Sequence, residues 1–255
     1  MPSARPAPRQ NVWERPKDTV DALQTIPPHP VFLHVTGRPA FVRNVLRVWP
    51  NVCTLSAVIC GDDAISSIIP APHVLQSLFV GPEDLGGFRP QEFPALRTLE
   101  LSHASRMNRH LRASSLLPQI RTLSVPGLPP SQDVLGALRQ LESLVFGDLP
   151  IAMSLPQTLR HVGYHEPFGY RSPEQNSEVF LQALCELENL HLVTCTVCST
   201  AALREALHEQ CHARRVDFVV YMHASCAPGV RTPEYYPTGA LGLPWLAKFS
   251  APRNV

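Results

Sequence analysis

The sequence predicts an α/β fold: a curved, all-parallel sheet with short helices on its convex side, wound as an irregular solenoid of about eight or nine repeats. Three observations lead there. Apolar triplets recur along most of the chain at a nearly constant interval. Short amphipathic stretches lie between them. Proline is abundant, 27 of 255 residues, about twice the usual ~5%. So much proline opposes long helices and ordinary central strands, and it suits many short elements separated by turns.

The triplet has the form Leu-x-x-Leu-x-Leu. Strict copies are Leu75-Leu78-Val80, Leu96-Leu99-Leu101, Ile120-Leu123-Val125, Leu141-Leu144-Phe146 and Leu187-Leu190-Leu192. Looser copies are Val52-Leu55-Ala57, Leu159-Val162-Tyr164 and Ala213-Val216-Phe218, with Pro30-Leu33-Val35 as the first. Chance alone supplies on the order of five strict triplets in so apolar a chain, so the pattern by itself decides nothing. The spacing does. Successive copies begin 22, 23, 21, 24, 21, 18, 28 and 26 residues apart, close to the period of leucine-rich repeats. A common run-in accompanies them: Pro50, Pro94 and Pro118 stand two residues before their anchors, and Pro72 and Pro156 stand three before. Counting nine positions from Val52 and from Leu187 reaches Cys60 and Cys195. That is the place where such repeats turn off the strand with Asn or Cys.

Helices are expected at Ala40–Trp49, Ser131–Gln140, Ser177–Leu187 and Ser199–His212. Their apolar faces are Val42, Val45, Leu46 and Trp49; Val134, Leu135 and Leu138; Val179, Phe180, Leu181 and Leu184; and Ala202, Leu203, Ala206 and Leu207. One strand and one short helix cannot cover their own apolar side, whereas stacked copies cover one another. The expected organisation is a proline-rich, mostly disordered tail over 1–29, a repeat domain over 30–221, and a C-terminal segment over 222–255 that caps the last repeat or is disordered.

Side chains between the buried leucines should line the concave face. One column would hold Thr54, Ser77, Thr98, Thr122, Ser143, His161, Asn189 and Arg215. The next would hold Ser56, Phe79, Glu100, Ser124, Val145, Gly163, His191 and Asp217, with His165 nearby. The candidate binding residues are Thr98, Glu100, Thr122, His161, His165, Asn189, His191, Arg215 and Asp217, weighted toward the C-terminal rows. A solvated sheet face is the plain alternative; solenoids commonly bind partners on this surface.

The segments FLHVTGRPAFVRNVLRVWPNVCTL, FPALRTLELS, LPQTLRHVGYHEP and LENLHLVTC together resemble the repeat region of fungal F-box/leucine-rich-repeat proteins of the basidiomycete type, over roughly residues 30–220. The resemblance implies a ubiquitin-ligase substrate receptor whose repeats hold the target. An F-box of such a family is an apolar segment of about 40 residues ahead of the repeats. Residues 1–29 hold only Val12, Trp13, Val20, Leu23 and Ile26 as large apolar residues. An F-box is therefore not expected there, nor Skp1 binding through one.

Charge excludes other classes. Lys plus Arg is 22 against 21 for Asp plus Glu, a formal +1, which leaves no basic footprint for nucleic acid or an anionic membrane. No apolar run is long enough to span a bilayer. Seven cysteines, an odd number without a secretory signal, suggest free thiols in the reducing cytoplasm or nucleus. A monomer is expected.

Two metal motifs compete with this reading. His208-Glu209-Gln210-Cys211-His212 matches the His-Glu-x-x-His pattern, in which two histidines one helical turn apart hold Zn²⁺ and the glutamate acts as general base. A zinc-dependent hydrolase is thus the alternative function. The charged flanks Arg204, Glu205, Arg214 and Arg215 and the lack of a following helix with a third ligand weigh against it. Cys195-x-x-Cys198 with His208 and His212 would make a Cys₂His₂ site, but a helix from Ser199 to His208 spans about 15 Å and separates the pairs. No catalytic residue, cofactor or metal is assigned from the sequence.

Overall fold

The computed structural model describes residues 9–13, 32–49, 52–59, 69, 74–82, 85, 89–102, 106–165, 174–196 and 199–221. Ten strands form one sheet, β1 (Arg9–Trp13), β2 (Phe32–Gly37), β3 (Thr54–Ile59), β4 (Ser77–Val80), β5 (Thr98–Leu101), β6 (Thr122–Val125), β7 (Ser143–Phe146), β8 (His161–Tyr164), β9 (Leu192–Thr196) and β10 (Asp217–Tyr221). Every pairing is parallel, and the spatial order is the sequence order. A chain makes such a sheet only by returning to the same end after each strand and advancing by one place each time.

Among the described residues the returns carry five α-helices: α1 (Pro39–Val48), α2 (Met107–Ala113), α3 (Gln132–Ala137), α4 (Glu174–Cys185) and α5 (Ala201–Arg214). A 3₁₀ turn at Leu117–Gln119 does the same work ahead of β6. The four helices expected from the sequence are present with shifted ends. Helix α2 was not expected, because Met107 and Leu111 are its only buried residues and give too little periodicity to read.

The leucine register explains the core. Leu55, Leu78, Leu99, Leu123, Leu144, Val162 and Val193 are paired neighbours from strand to strand, and each is at most 1% exposed. Two residues further on, Val80, Leu101, Val125, Phe146, Tyr164 and Cys195 form a second buried row. The helices close this core, with Val42, Val45 and Leu46 from α1 and Phe180 and Leu184 from α4. Phe180 packs edge-on to Phe146 at 5.6 Å and beside Tyr164 at 6.0 Å.

Polar side chains tie each return to its neighbour. Asn108 Oδ1 accepts from Ser131 N at 2.8 Å, Gln119 Nε2 donates to Phe93 O at 2.9 Å, and Asn176 Nδ2 donates to Leu149 O at 2.7 Å. Each satisfies a backbone group that the irregular loops cannot pair themselves. Before each strand from β3 to β8 one carbonyl takes two N–H groups from the next turn. Gln76 O accepts from Arg97 and Thr98, Arg97 O from Arg121 and Thr122, and Arg160 O from His191 and Leu192.

Two features depart from the sequence reading. Strand β1 lies inside the segment expected to be disordered, one more turn with the same 23-residue offset, Arg9 opposite Phe32. Its register puts Gln10 opposite Leu33, so a polar residue occupies the leucine place and the pattern search passes over it. The second departure is the register of the last two turns. His161 pairs with Leu192, and Leu192 with Asp217, whereas the sequence reading aligned His161 with Asn189 and Arg215. Two frames overlap here, Leu187-Leu190-Leu192 and Leu190-Val193-Cys195. The second prevails: Val193 pairs with Val162 and Cys195 with Tyr164, so these two residues continue the buried rows.

Candidate binding face

The strand residues that alternate with the core rows point away from the helices. Six of the eight expected first-column positions are true neighbours: Thr54, Ser77, Thr98, Thr122, Ser143 and His161. The second column runs Ser56, Phe79, Glu100, Ser124, Val145, Gly163 and then Thr194. The candidate residues Thr98, Glu100, Thr122 and His161 are therefore brought together on one face, and His165 follows directly after β8.

Of the C-terminal candidates, Asn189, His191 and Arg215 are not. Asn189 and His191 are exposed and lie before β9, in the run-in to the strand. Arg215 sits in the left-handed region at φ 57° and ends α5, its N–H donating to Cys211 O and His212 O. Asp217 falls in the first column, opposite Leu192, and not in the second. Expecting Asn189, His191 and Arg215 in the last rows of the face is corrected by the slip in register, and Asp217 moves from the second column to the end of the first. Residues 192 and 194 take the places assigned to 189 and 191.

That slip creates a chain of polar side chains across β7, β8 and β9. Ser143 Oγ lies 2.7 Å from His161 Nδ1, His161 Nε2 lies 3.0 Å from Thr194 Oγ1, and the same hydroxyl lies 3.3 Å from His165 Nε2. The bonds are consistent if Ser143 donates to Nδ1, Nε2–H donates to Thr194, and Thr194 donates to His165; reversing every donor also satisfies them. Thr194 can reach because Gly163 stands between: a Cβ on Gly163 would lie 2.8 Å from Thr194 Oγ1 and 3.0 Å from Val145 Cγ2. Thr194, fully buried, was absent from the sequence candidates. The signal that would have found it is the second frame, Leu190-Val193-Cys195.

Burial sets the chemistry of this face. His161 is 6% exposed, and burial, helped by His165, lowers its pKa to about 3. It stays neutral near pH 7, so its contact with Ser143 does not supply a general base of matched strength. Glu100 is 4% exposed, and burial raises its pKa to about 8. Its carboxyl is mostly protonated at neutral pH and offers a donor as well as an acceptor. A face with a neutral imidazole, hydroxyls and a protonated carboxyl presents hydrogen-bonding groups with little charge.

The metal motifs are placed as follows. Cys195 is in β9 and points into the core, so it is not the turn residue that nine-position counting made it. Counted from Leu190, position nine is Cys198, which lies outside the described residues, as does Cys60. Burial pushes the Cys195 thiol up to about 12 and that of Cys211 up to about 11. His208, Glu209 and His212 lie on the exposed side of α5. Among the described residues no group of three His, Cys, Asp or Glu side chains is disposed to hold a metal ion.

Compared with known proteins, the chain matches no family model and no curated protein sequence. Among the described residues no helix is long and apolar enough to cross a membrane. The fold class is α/β with an all-parallel sheet.

Proposed function

We propose that this chain is a leucine-rich-repeat solenoid that binds another protein through the sheet face opposite its helices, without catalysis. Its function would parallel that of the repeat part of fungal F-box/leucine-rich-repeat receptors of ubiquitin ligases, in a reducing compartment. The observation that carries the reading is the in-register face from Thr54 to His161. Six consecutive strands carry a small polar residue or histidine at the same place, half-buried from Thr54 to Thr98 and buried from Thr122 to His161, while the alternate rows are leucine-like and buried. A surface repeated in this way suits an extended partner, since each row offers a similar hydrogen-bonding step.

The experiment is affinity capture with quantitative comparison of variants. Thr98→Arg and Ser124→Arg, both on partly exposed positions of the face, should each weaken a saturable partner by at least about tenfold. Arg215→Glu, off the face at the end of α5, should leave it within about twofold. A partner lost equally on Arg215→Glu, or unaffected by both face variants, sinks the assignment of this surface.

A further inference from the structure

Helix α5 carries a feature that the binding-face reading does not use. His208 and His212 lie one turn apart, both exposed, with their rings stacked 6.4 Å apart between centroids and inclined by only 25°. Phe218 of β10 holds His208 from the side, edge-on at 6.1 Å and 64°. Thus one imidazole is braced by the sheet and the other is free to move toward it. Two nearby cations are turned elsewhere. Arg214 donates to the backbone carbonyls of Leu184 and Leu187, and Arg204 to Ser199 O. The acids Glu205 and Glu209 are exposed and share the helix face of the two histidines by their spacing. Their charge favours a cation at that place.

We propose that His208 and His212 form a two-histidine surface chelate for a divalent transition-metal cation of the zinc or copper type, with water in the remaining coordination positions. Imidazole suits these ions. At Zn–N distances of about 2.0–2.1 Å two ligating nitrogens stand roughly 3 Å apart, so the rings must close by about 1–2 Å. Two exposed side chains on a fixed helix can make that movement by small χ rotations. A catalytic zinc site holds three protein ligands, and no third joins here among the described residues. The chelate is therefore a binding site and not the centre of a His-Glu-x-x-His hydrolase.

The test is a Zn²⁺ titration of the full chain, followed by calorimetry and by the ¹H–¹⁵N signals of the histidine side chains. The signals of His208 and His212 should move together and saturate at one equivalent. His208→Ala and His212→Ala should each weaken that step by about tenfold or more, and the double variant should abolish it. Both side chains are exposed, and unchanged circular dichroism will show that the variants fold. Glu209→Gln should keep the affinity within about twofold. Unmoved His208 and His212 signals, a double variant that binds as tightly as the parent, or a tenfold loss in Glu209→Gln would each overturn the assignment.

Discussion

The turns from β3 to β8 and those from β8 to β10 are built on different terms. In the first group, successive register partners lie 23, 21, 24, 21 and 18 residues apart, from Thr54 to His161. The returns are a short helix, a 3₁₀ turn or an irregular loop. In the second group the offsets are 31 and 25 residues, from His161 to Leu192 and on to Asp217, and the helices α4 and α5 have 12 and 14 residues. The regular turns are fixed by leucine against leucine. In the later turns the register against β8 decides, because only one frame continues the rows of Val162 and Tyr164. The polar chain Ser143–His161–Thr194–His165 lies across the seam between the two groups.

The comparison can be broken most severely at Gly147, the residue after β7. A Cβ there would meet Pro126 O at 2.3 Å, and the N–H donates to Gly127 O at 2.9 Å. Both contacts are backbone, so neither yields cheaply. Gly147→Ala should destabilise by roughly 3 kcal/mol or more, measured by urea unfolding. A loss under about 1 kcal/mol would mean that the regular turns tolerate displacement.

Leu144→Ala, at a fully buried site in the middle of the leucine row, should cost about 3 kcal/mol. Leu190→Ala should cost about the same if Leu190 anchors the slipped frame. An Ala at Leu190 that costs nothing would restore the frame beginning at Leu187.

Glu100 should act with the opposite sign. Its pKa is raised in the fold, so the native state holds a proton that the unfolded chain gives up. Stability is then lost as pH rises from about 4.5, the ordinary value of a glutamate, through about 8. Glu100→Gln should remove that loss and stabilise the protein at pH 8 by roughly 2 kcal/mol, with little effect at pH 4. Destabilisation at pH 8 would show that the charged form has a partner.

At the seam, His161 gives the acid limb. Its pKa is lowered, so its contribution is present above about pH 6.5 and is lost as pH falls toward about 3. Thr194→Val should cost about 1–2 kcal/mol at pH 7 by leaving His161 Nε2 without this hydroxyl. It should also change how steeply stability falls in acid. An unchanged acid limb would mean that His161 and Thr194 are not coupled.

The smallest effect is expected from Arg112 and Asp133, which join α2 to α3 on the surface and lower the Asp133 pKa to about 2. Asp133→Asn should leave thermal unfolding within experimental error, as exposed pairs usually do.

The sequence by itself determined the α/β class, the strand positions from β2 to β8, the four larger or better patterned helices and the column Thr98, Thr122, Ser143 and His161. Those follow from local facts: apolar residues at fixed offsets, proline before the strand and a constant interval. Tertiary structure alone decided the rest. It made β1 a strand although Gln10 occupies the leucine place, because the sheet edge offers unpaired backbone groups that another strand can satisfy. It chose Leu190 over Leu187 as the anchor of β9, which sets Val193 beside Val162 and Cys195 beside Tyr164 in the buried rows. With that choice Asn189, His191 and Arg215 left the face and Thr194 entered it. A pattern read along the chain cannot rank two overlapping frames, since both bury leucines; the register against β8 ranks them, because only one frame continues the rows of Val162 and Tyr164.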